Sequence, residues 1–178
     1  GDFCFIVKEM LATSQIKPEE IAAVATSAIG PCMLPVDEGG RPLMNGVLYG
    51  VDTRAAKEIE SLNARIGAAA ILQRCGNALT SQSVGPKMLW LKQNRPELYA
   101  KTAKFLTSTS YVNFRLTGNY VIDHYSAANS SPLYDVCKQD WIFDLAPDIA
   151  RPDQLPGLAW STDIAGHISA RAARETGL

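Results

Sequence analysis

The sequence predicts an α/β layered fold in which short strands alternate with longer helices. Three observations carry this reading. Short apolar runs bounded by Gly, Pro or small polar residues, Ile21–Ala25, Cys32–Val36 and Phe105–Thr107, have the length and punctuation of strands. Between them lie longer stretches whose apolar residues recur at helical spacing. Several of those stretches close on glycine, as at Gly76, Gly118 and Gly177. Interleaving of this kind argues for helices layered on a sheet.

Taken in order, Phe3, Ile6, Val7, Met10 and Leu11 predict a core-facing helix over Asp2–Ser14, capped by Asp2. Pro18-Glu19-Glu20 turns into a buried strand, Ile21–Ala25, which ends in Thr26-Ser27 and feeds a loop at Gly30-Pro31. The run Cys32–Val36 leads into a hairpin turn at Asp37-Glu38-Gly39-Gly40, rich in residues that tolerate positive φ. Val47–Tyr49 then delivers Asp52-Thr53-Arg54 to a helix start. Thr53 caps a helix from Arg54 to Arg65 with Ala56, Ile59 and Leu62 inward, and a second piece, Ala68–Cys75, stops at Gly76.

After a polar loop at 77–85, Pro86 opens a helix with Met88, Leu89 and Leu91 on one side, and Pro96 starts another reaching Ala103. Phe105–Thr107 reads as a strand, and Ser110 caps a helix from Tyr111 to Leu116. The stretch 119–134 reads as an extended polar loop or hairpin, and Trp141–Leu145 as a short helix. Pro147–Leu158 is a connector and Ile164–Ile168 a strand. Ser169 caps a last helix reaching Thr176.

Composition bounds the function. The 178 residues suit one domain or one lobe of a larger protein, with 47% apolar and 20% charged residues. A net charge of −1 with interspersed signs leaves no basic face, which argues against nucleic acid and anionic membranes as partners. Cys4, Cys32, Cys75 and Cys137 form no CxxC pair and sit in apolar contexts, as buried thiols of a reducing cytoplasm do. Only His124 and His167 exist and neither neighbours a cysteine, so no metal site is expected. No apolar run has membrane-spanning length and no signal peptide is visible. A start on Gly1-Asp2 and a stop at Gly177-Leu178 read as a piece of a longer chain.

Any polar ligand site is expected in Ile21–Arg54. Gly30-Pro31 at a strand end can set backbone amides against a ligand, or it can be a plain turn. Asp52 and Arg54 can together bond the hydroxyls of a polyol; the plainer reading is an N-terminal dipole-stabilising Asp and a surface Arg. Lys87 hints at a phosphate contact, although a lysine at a helix start is usually solvated and no GxxxxGK[ST] is present. Asp123, His124 and Ser126 are sequence neighbours, but a hydrolase triad needs spatial adjacency and an oxyanion hole, and GxSxG is absent, so His124 reads as structural. The Asp37–Gly40 turn is acidic and would repel phosphate.

Four segments then resemble the N-terminal lobe of FGGY-family carbohydrate kinases, most closely the xylulokinase-like branch. They are IAAVATSAIGPCMLPVDEGGRPL (21–43), LYGVDTRAA (48–56), VGPKMLWLKQNRPELY (84–99) and YVNFRLTGNYVIDHYSAANSSPLYDV (111–136), in the family's order and spacing and followed by Trp141. The resemblance implies a ribonuclease-H-like (actin-like ATPase) fold, of which residues 1–178 would be the partial N-terminal lobe. The first phosphate-loop hairpin would precede Gly1, and the catalytic aspartate and C-terminal lobe would follow Leu178. It implies phosphoryl transfer from ATP with Mg2+ in the intact enzyme, neither bound by this piece alone, to a hydroxyl of a ketopentose or related sugar or polyol. The substrate-binding residues it implies are Gly30, Pro31, Asp52, Arg54 and Gln82. Gly30 and Pro31 fall where xylulokinases place a Met-His pair and glycerol kinases an Arg-Glu pair, and this sequence matches neither. Gln82 falls near a substrate-contacting Tyr of glycerol kinases. Rival readings keep the family with ribulose, glycerol or a tetritol as substrate, or make the chain a non-catalytic actin-like module for sugar binding or protein interaction. A sheet lacking its first hairpin would leave an edge at Ile21–Ala25, predicting self-association as a homo-oligomer, a dimer.

Overall fold

The computed structural model describes residues 1–178, and its core is assembled around one helix, α4 (Val84–Asn94). Val84, Met88, Leu89 and Leu91 of this helix are all buried, as the sequence spacing requires. Against it pack α2 (Ala56–Ile66) through Leu62 and α3 (Ala68–Cys75) through Ile71 and Cys75. Leu133, Ile149 and Leu155 from later loops close the same cluster, with Tyr99 of α5 (Pro96–Lys101). At the start of α4 the Gly85 backbone lies so close to the Ser131 carbonyl that a Cβ would collide with it.

The strands are short and pair in twos. β1 (Leu34–Val36) runs antiparallel to β2 (Lys104–Leu106), with Leu34 opposite Leu106. Beyond β1 the chain folds back as a hairpin, since Met33 and Val47 exchange backbone hydrogen bonds of 3.0 and 2.8 Å and Val36 bridges Pro42. β3 (Val121–Asp123) pairs in parallel with β6 (Gly157–Ala159), and β4 (Tyr134–Asp135) antiparallel with β5 (Asp140–Trp141). The remaining helices are α1 (Asp2–Ser14), α6 (Ser108–Thr117), α7 (His124–Ala128) and α8 (Ala170–Thr176), with α1 lying on α8 and α8 on α6.

Glycine stops and hydroxyl caps fall largely where the sequence sets them. Gly76, Gly118 and Gly177 end α3, α6 and α8 at φ 73°, 84° and 87°. Ser169 caps α8 by accepting from the Ala172 N–H at 3.2 Å.

Other expectations are corrected. Ile21–Ala25 is not a strand, because no other segment reaches its backbone; residues 22–29 make no backbone–backbone hydrogen bond. Ile164–Ile168 is irregular for the same reason. Trp141–Leu145 is not a helix: Trp141 pairs with Tyr134 and its indole N–H donates to the Pro156 carbonyl at 2.9 Å. The stretch 119–134 holds β3 and α7 rather than one loop. α1 buries none of its residues, and Gly1, not Asp2, is its N-cap position. In α2 Leu62 is buried and Ile59 packs on the core as expected, but Ala56 is exposed, the buried Glu58 shares the inward face, and Thr53 makes no cap. α6 is capped by Thr107, whose hydroxyl accepts from the Ser110 N–H. Cys137 is exposed, not buried.

Candidate functional site

The hairpin presents one end to solvent as a loop at 48–52 beside the Gly30-Pro31 turn. Gly30 is exposed and lies under the Tyr49 ring, where a Cβ would stand 3.5 Å from the ring carbon Cδ2. Pro31 is buried, so this turn offers backbone rather than the proline ring to a ligand. Ile29, Leu48 and Val51 are exposed at the same end.

Asp52 and Arg54 form one unit. The Arg54 guanidinium donates to both carboxylate oxygens of Asp52, at 2.9 Å from Nε and 2.7 Å from Nη2, and the Arg54 backbone N–H adds a bond of 3.1 Å. These bonds hold the Asp52 carboxyl below the usual carboxylate range. The guanidinium also lies over the Trp90 indole, 4.7 Å from its centroid. A fork fixed against a ring and a carboxylate keeps its geometry without a ligand, which is what recognition of hydroxyls needs.

Two side chains from the loop before α4 and its first turns anchor the 48–52 loop. The Ser81 hydroxyl donates to the Gly50 carbonyl at 3.1 Å, and the Lys87 ammonium to the Leu48 carbonyl at 2.9 Å. Lys87 corrects an expectation: it is 1% exposed rather than solvated. Burial pushes its pKa down from the ordinary lysine value, partly offset by Asp52 nearby. Gln82, next to Ser81, is exposed, and its backbone N–H donates to the Thr80 hydroxyl. Gly30 thus lies under Tyr49 of this loop, Asp52 and Arg54 follow it, and Gln82 adjoins the Ser81 that holds Gly50, whereas Ser81 and Tyr49 were missed as members of the site. The Gly-Pro-Lys order at the head of the helix did mark Lys87, but for a phosphate contact and not as an anchor of this loop.

A pocket of about 170 Å3 lies here, lined by Asp52, Thr53, Thr80, Ser81, Ser83 and Lys87 together with apolar residues of α2. A larger cleft of about 500 Å3 separates residues 22–26 from 159–168, floored by α6 and β3. Asp123, on its floor, accepts from both the N–H and the hydroxyl of Ser126 as the cap of α7, and Thr26 donates to Asn113 at 2.6 Å. His124 shares a hydrogen bond of 2.7 Å with the Tyr134 hydroxyl and packs on Trp160, which bears out its structural reading. Nowhere do three or more His, Cys, Asp or Glu residues converge as metal ligands.

Comparison with known proteins identifies the architecture. The profile of the FGGY family of carbohydrate kinases, N-terminal domain, matches residues 3–178. The xylulose kinase of Bacillus subtilis (strain 168) is 30% identical over 171 residues, which are 96% of this chain and 34% of that protein. The xylulose kinase of Escherichia coli (strain K12) is 31% identical over 145 residues, 80% of this chain and 29% of that protein. The crystal structure of xylulose kinase from Rhodospirillum rubrum superposes with a TM-score of 0.88 at 25% identity, covering 97% of this chain and 35% of the other. The chain therefore spans about a third of the length of these relatives. Its fold is that of part of an N-terminal lobe of the actin-like ATPase architecture, as expected from the motifs. With these motifs and this fold, the chain belongs to the FGGY family of carbohydrate kinases, whose N-terminal domain it carries over residues 3–178.

Proposed function

We propose that the protein carrying this chain transfers the terminal phosphoryl group of ATP to a hydroxyl of a ketopentose or related sugar or polyol, with xylulose favoured by the relatives. The chain is then the sugar-side wall of the active site. Its first phosphate-loop hairpin and C-terminal lobe belong to the rest of the protein. Gly30 and Pro31 set a floor of backbone, and Asp52 and Arg54 orient hydroxyls, with Gln82 at the rim.

The observation that carries this reading is the Asp52–Arg54 pair, held over Trp90 at the end of the loop whose Tyr49 covers Gly30. Phosphoryl transfer asks the protein mainly for positioning and charge stabilisation. A rigid fork beside an open backbone turn suits the first task for a neutral polyol.

The hairpin turn at Asp37–Gly40 does not suit the phosphates of a nucleotide. Asp37 already accepts from the N–H groups of Gly39 and Arg41 at 2.9 Å each, so the hairpin turn has its amides occupied by a carboxylate. ATP, Mg2+ and the catalytic base are assigned to the rest of the protein. No helix is long and apolar enough to cross a membrane; we place the enzyme in the cytoplasm, working as a homo-oligomer.

The test is ADP release by the intact protein against a panel of ketoses and polyols. A ketopentose should give the highest kcat/KM, and no ADP above background with any member overturns the reading. In the same assay Asp52→Ala should raise the sugar KM about tenfold, the loss of one or two charged hydrogen bonds. An unchanged KM returns Asp52 to a structural role.

A further inference from the structure

Lys87 is the most deeply buried charged side chain of the molecule, at 1% exposure, and its ammonium can donate three hydrogen bonds. It makes one, to the Leu48 carbonyl at 2.9 Å. No carboxylate stands within ion-pair distance, since Asp52 is taken by Arg54. An ammonium removed from water with two of its donors unused is strongly unfavourable unless something else accepts from it.

What it faces is the pocket of about 170 Å3 behind the Asp52–Arg54 pair. That is nearly six times the ~30 Å3 that one water occupies in the liquid. The rest of its polar lining is Asp52 and the side chains of Thr53, Thr80, Ser81 and Ser83. The pocket shares its anchor points with the sugar turn, because Lys87 and Ser81 hold the carbonyls on either side of Tyr49.

We infer that this pocket is a subsite of the acceptor site, in which Lys87 donates to hydroxyl oxygens at the far end of a ketose or polyol chain. The inference rests on the kinase reading above. Its chemistry selects hydroxyls over anions. A phosphate or carboxylate entering here would meet the Asp52 carboxylate as well as the ammonium. A hydroxyl accepts from Lys87 and donates to Asp52 or a Ser or Thr oxygen at once. The subsite therefore reads how many hydroxyls the acceptor carries away from the reacting end, and Lys87 is a specificity-determining residue.

The experiment assays the intact protein with its best acceptor and with the analogue lacking the hydroxyl at the end away from phosphorylation. Wild type is compared with Lys87→Met, Lys87→Arg and Ser83→Ala. Wild type should prefer the full acceptor by about tenfold or more in KM, as expected when a buried donor loses its partner. Lys87→Met should raise KM for the full acceptor by about tenfold, leave KM for the analogue nearly unchanged and leave kcat within a few-fold; Lys87→Arg should keep part of the preference. If Lys87→Met shifts both acceptors equally, or neither, the subsite is overturned while the kinase reading stands. If wild type phosphorylates no acceptor, both fall. Should Lys87→Met not fold by thermal melt, Ser83→Ala leaves the ammonium in place, and the same contraction of the preference, or its absence, decides.

Discussion

At the scale of single residues, the informative groups are those whose charge is handled unusually. Asp52 spends its carboxylate on Arg54, while Lys87 is buried beside that closed pair with a single acceptor. This has a consequence for stability. Burial lowers the Lys87 pKa in the folded chain, whereas the unfolded chain keeps its proton up to the ordinary value of 10.5. Between the folded value and 10.5 the unfolded state binds more protons, so stability should climb with pH across that window. The unfolding free energy of wild type minus that of Lys87→Met, from urea melts between pH 7 and 10.5, should therefore rise with pH. A flat difference would mean the ammonium is as well solvated folded as unfolded. Sequence reading found Asp52 and Arg54 because a charged pair at a helix start is visible along the chain. It placed Lys87 in solvent because nothing local says that the 48–52 loop folds over it.

At the scale of elements, what the sequence disclosed follows how local the cause is. The end of α3 was legible because Gly76, at φ 73°, stops it directly after Cys75. The hairpin from Met33 to Val47 was legible from its Asp-Glu-Gly-Gly turn. The β3–β6 pair was not, since three residues meet partners more than thirty positions away, and no local pattern encodes that register. Trp141 misled for a related reason: its apolar neighbours suit a helix, but cross-strand pairing with Tyr134 and the Pro156 carbonyl decide its conformation. The hairpin turn itself makes a sharp prediction. Gly40 sits at φ 72° with its Cα against the Phe114 ring, where a Cβ would overlap the ring, whereas Gly39 has no positive φ and a Cβ there would meet only an ordinary contact, Asp37 Oδ1 at 3.4 Å. Gly40→Ala should cost about 2 kcal/mol or more from left-handed strain and displacement of Phe114. Gly39→Ala should cost well under 1 kcal/mol by denaturant melt. Equal costs would mean the Phe114 ring moves aside freely.

At the scale of the whole molecule, two segments without secondary structure face each other across the cleft of about 500 Å3 with no backbone–backbone pairing. Residues 22–29 make no backbone–backbone hydrogen bond and neither do residues 164–168, where only the Ala165 carbonyl is taken, by the Asn119 side chain at 3.0 Å. The sequence pattern had marked both as strands, and the residue types do suit that role; what is missing is a neighbour, which pattern alone cannot supply. Val24, Trp160 and Ile164, which line the cleft, are among the exposed large apolar residues. A row of free N–H and C=O groups flanked by apolar side chains is a template for strand addition, and a second copy presents the same row. The 178-residue chain should therefore dimerise or form larger species as concentration rises, measured by light scattering from low micromolar upward. A proline placed at Ala23 or Ala25, within that row, removes one donor and should weaken association without unfolding the α4 core, which it does not touch. If the wild-type chain stays monomeric through that range, the unpaired segments are satisfied by water alone, and association through this edge is ruled out. If it associates but the proline variants associate equally, the contact lies elsewhere, and the exposed Phe5, Ile6 and Met10 of α1 become the surface to substitute next.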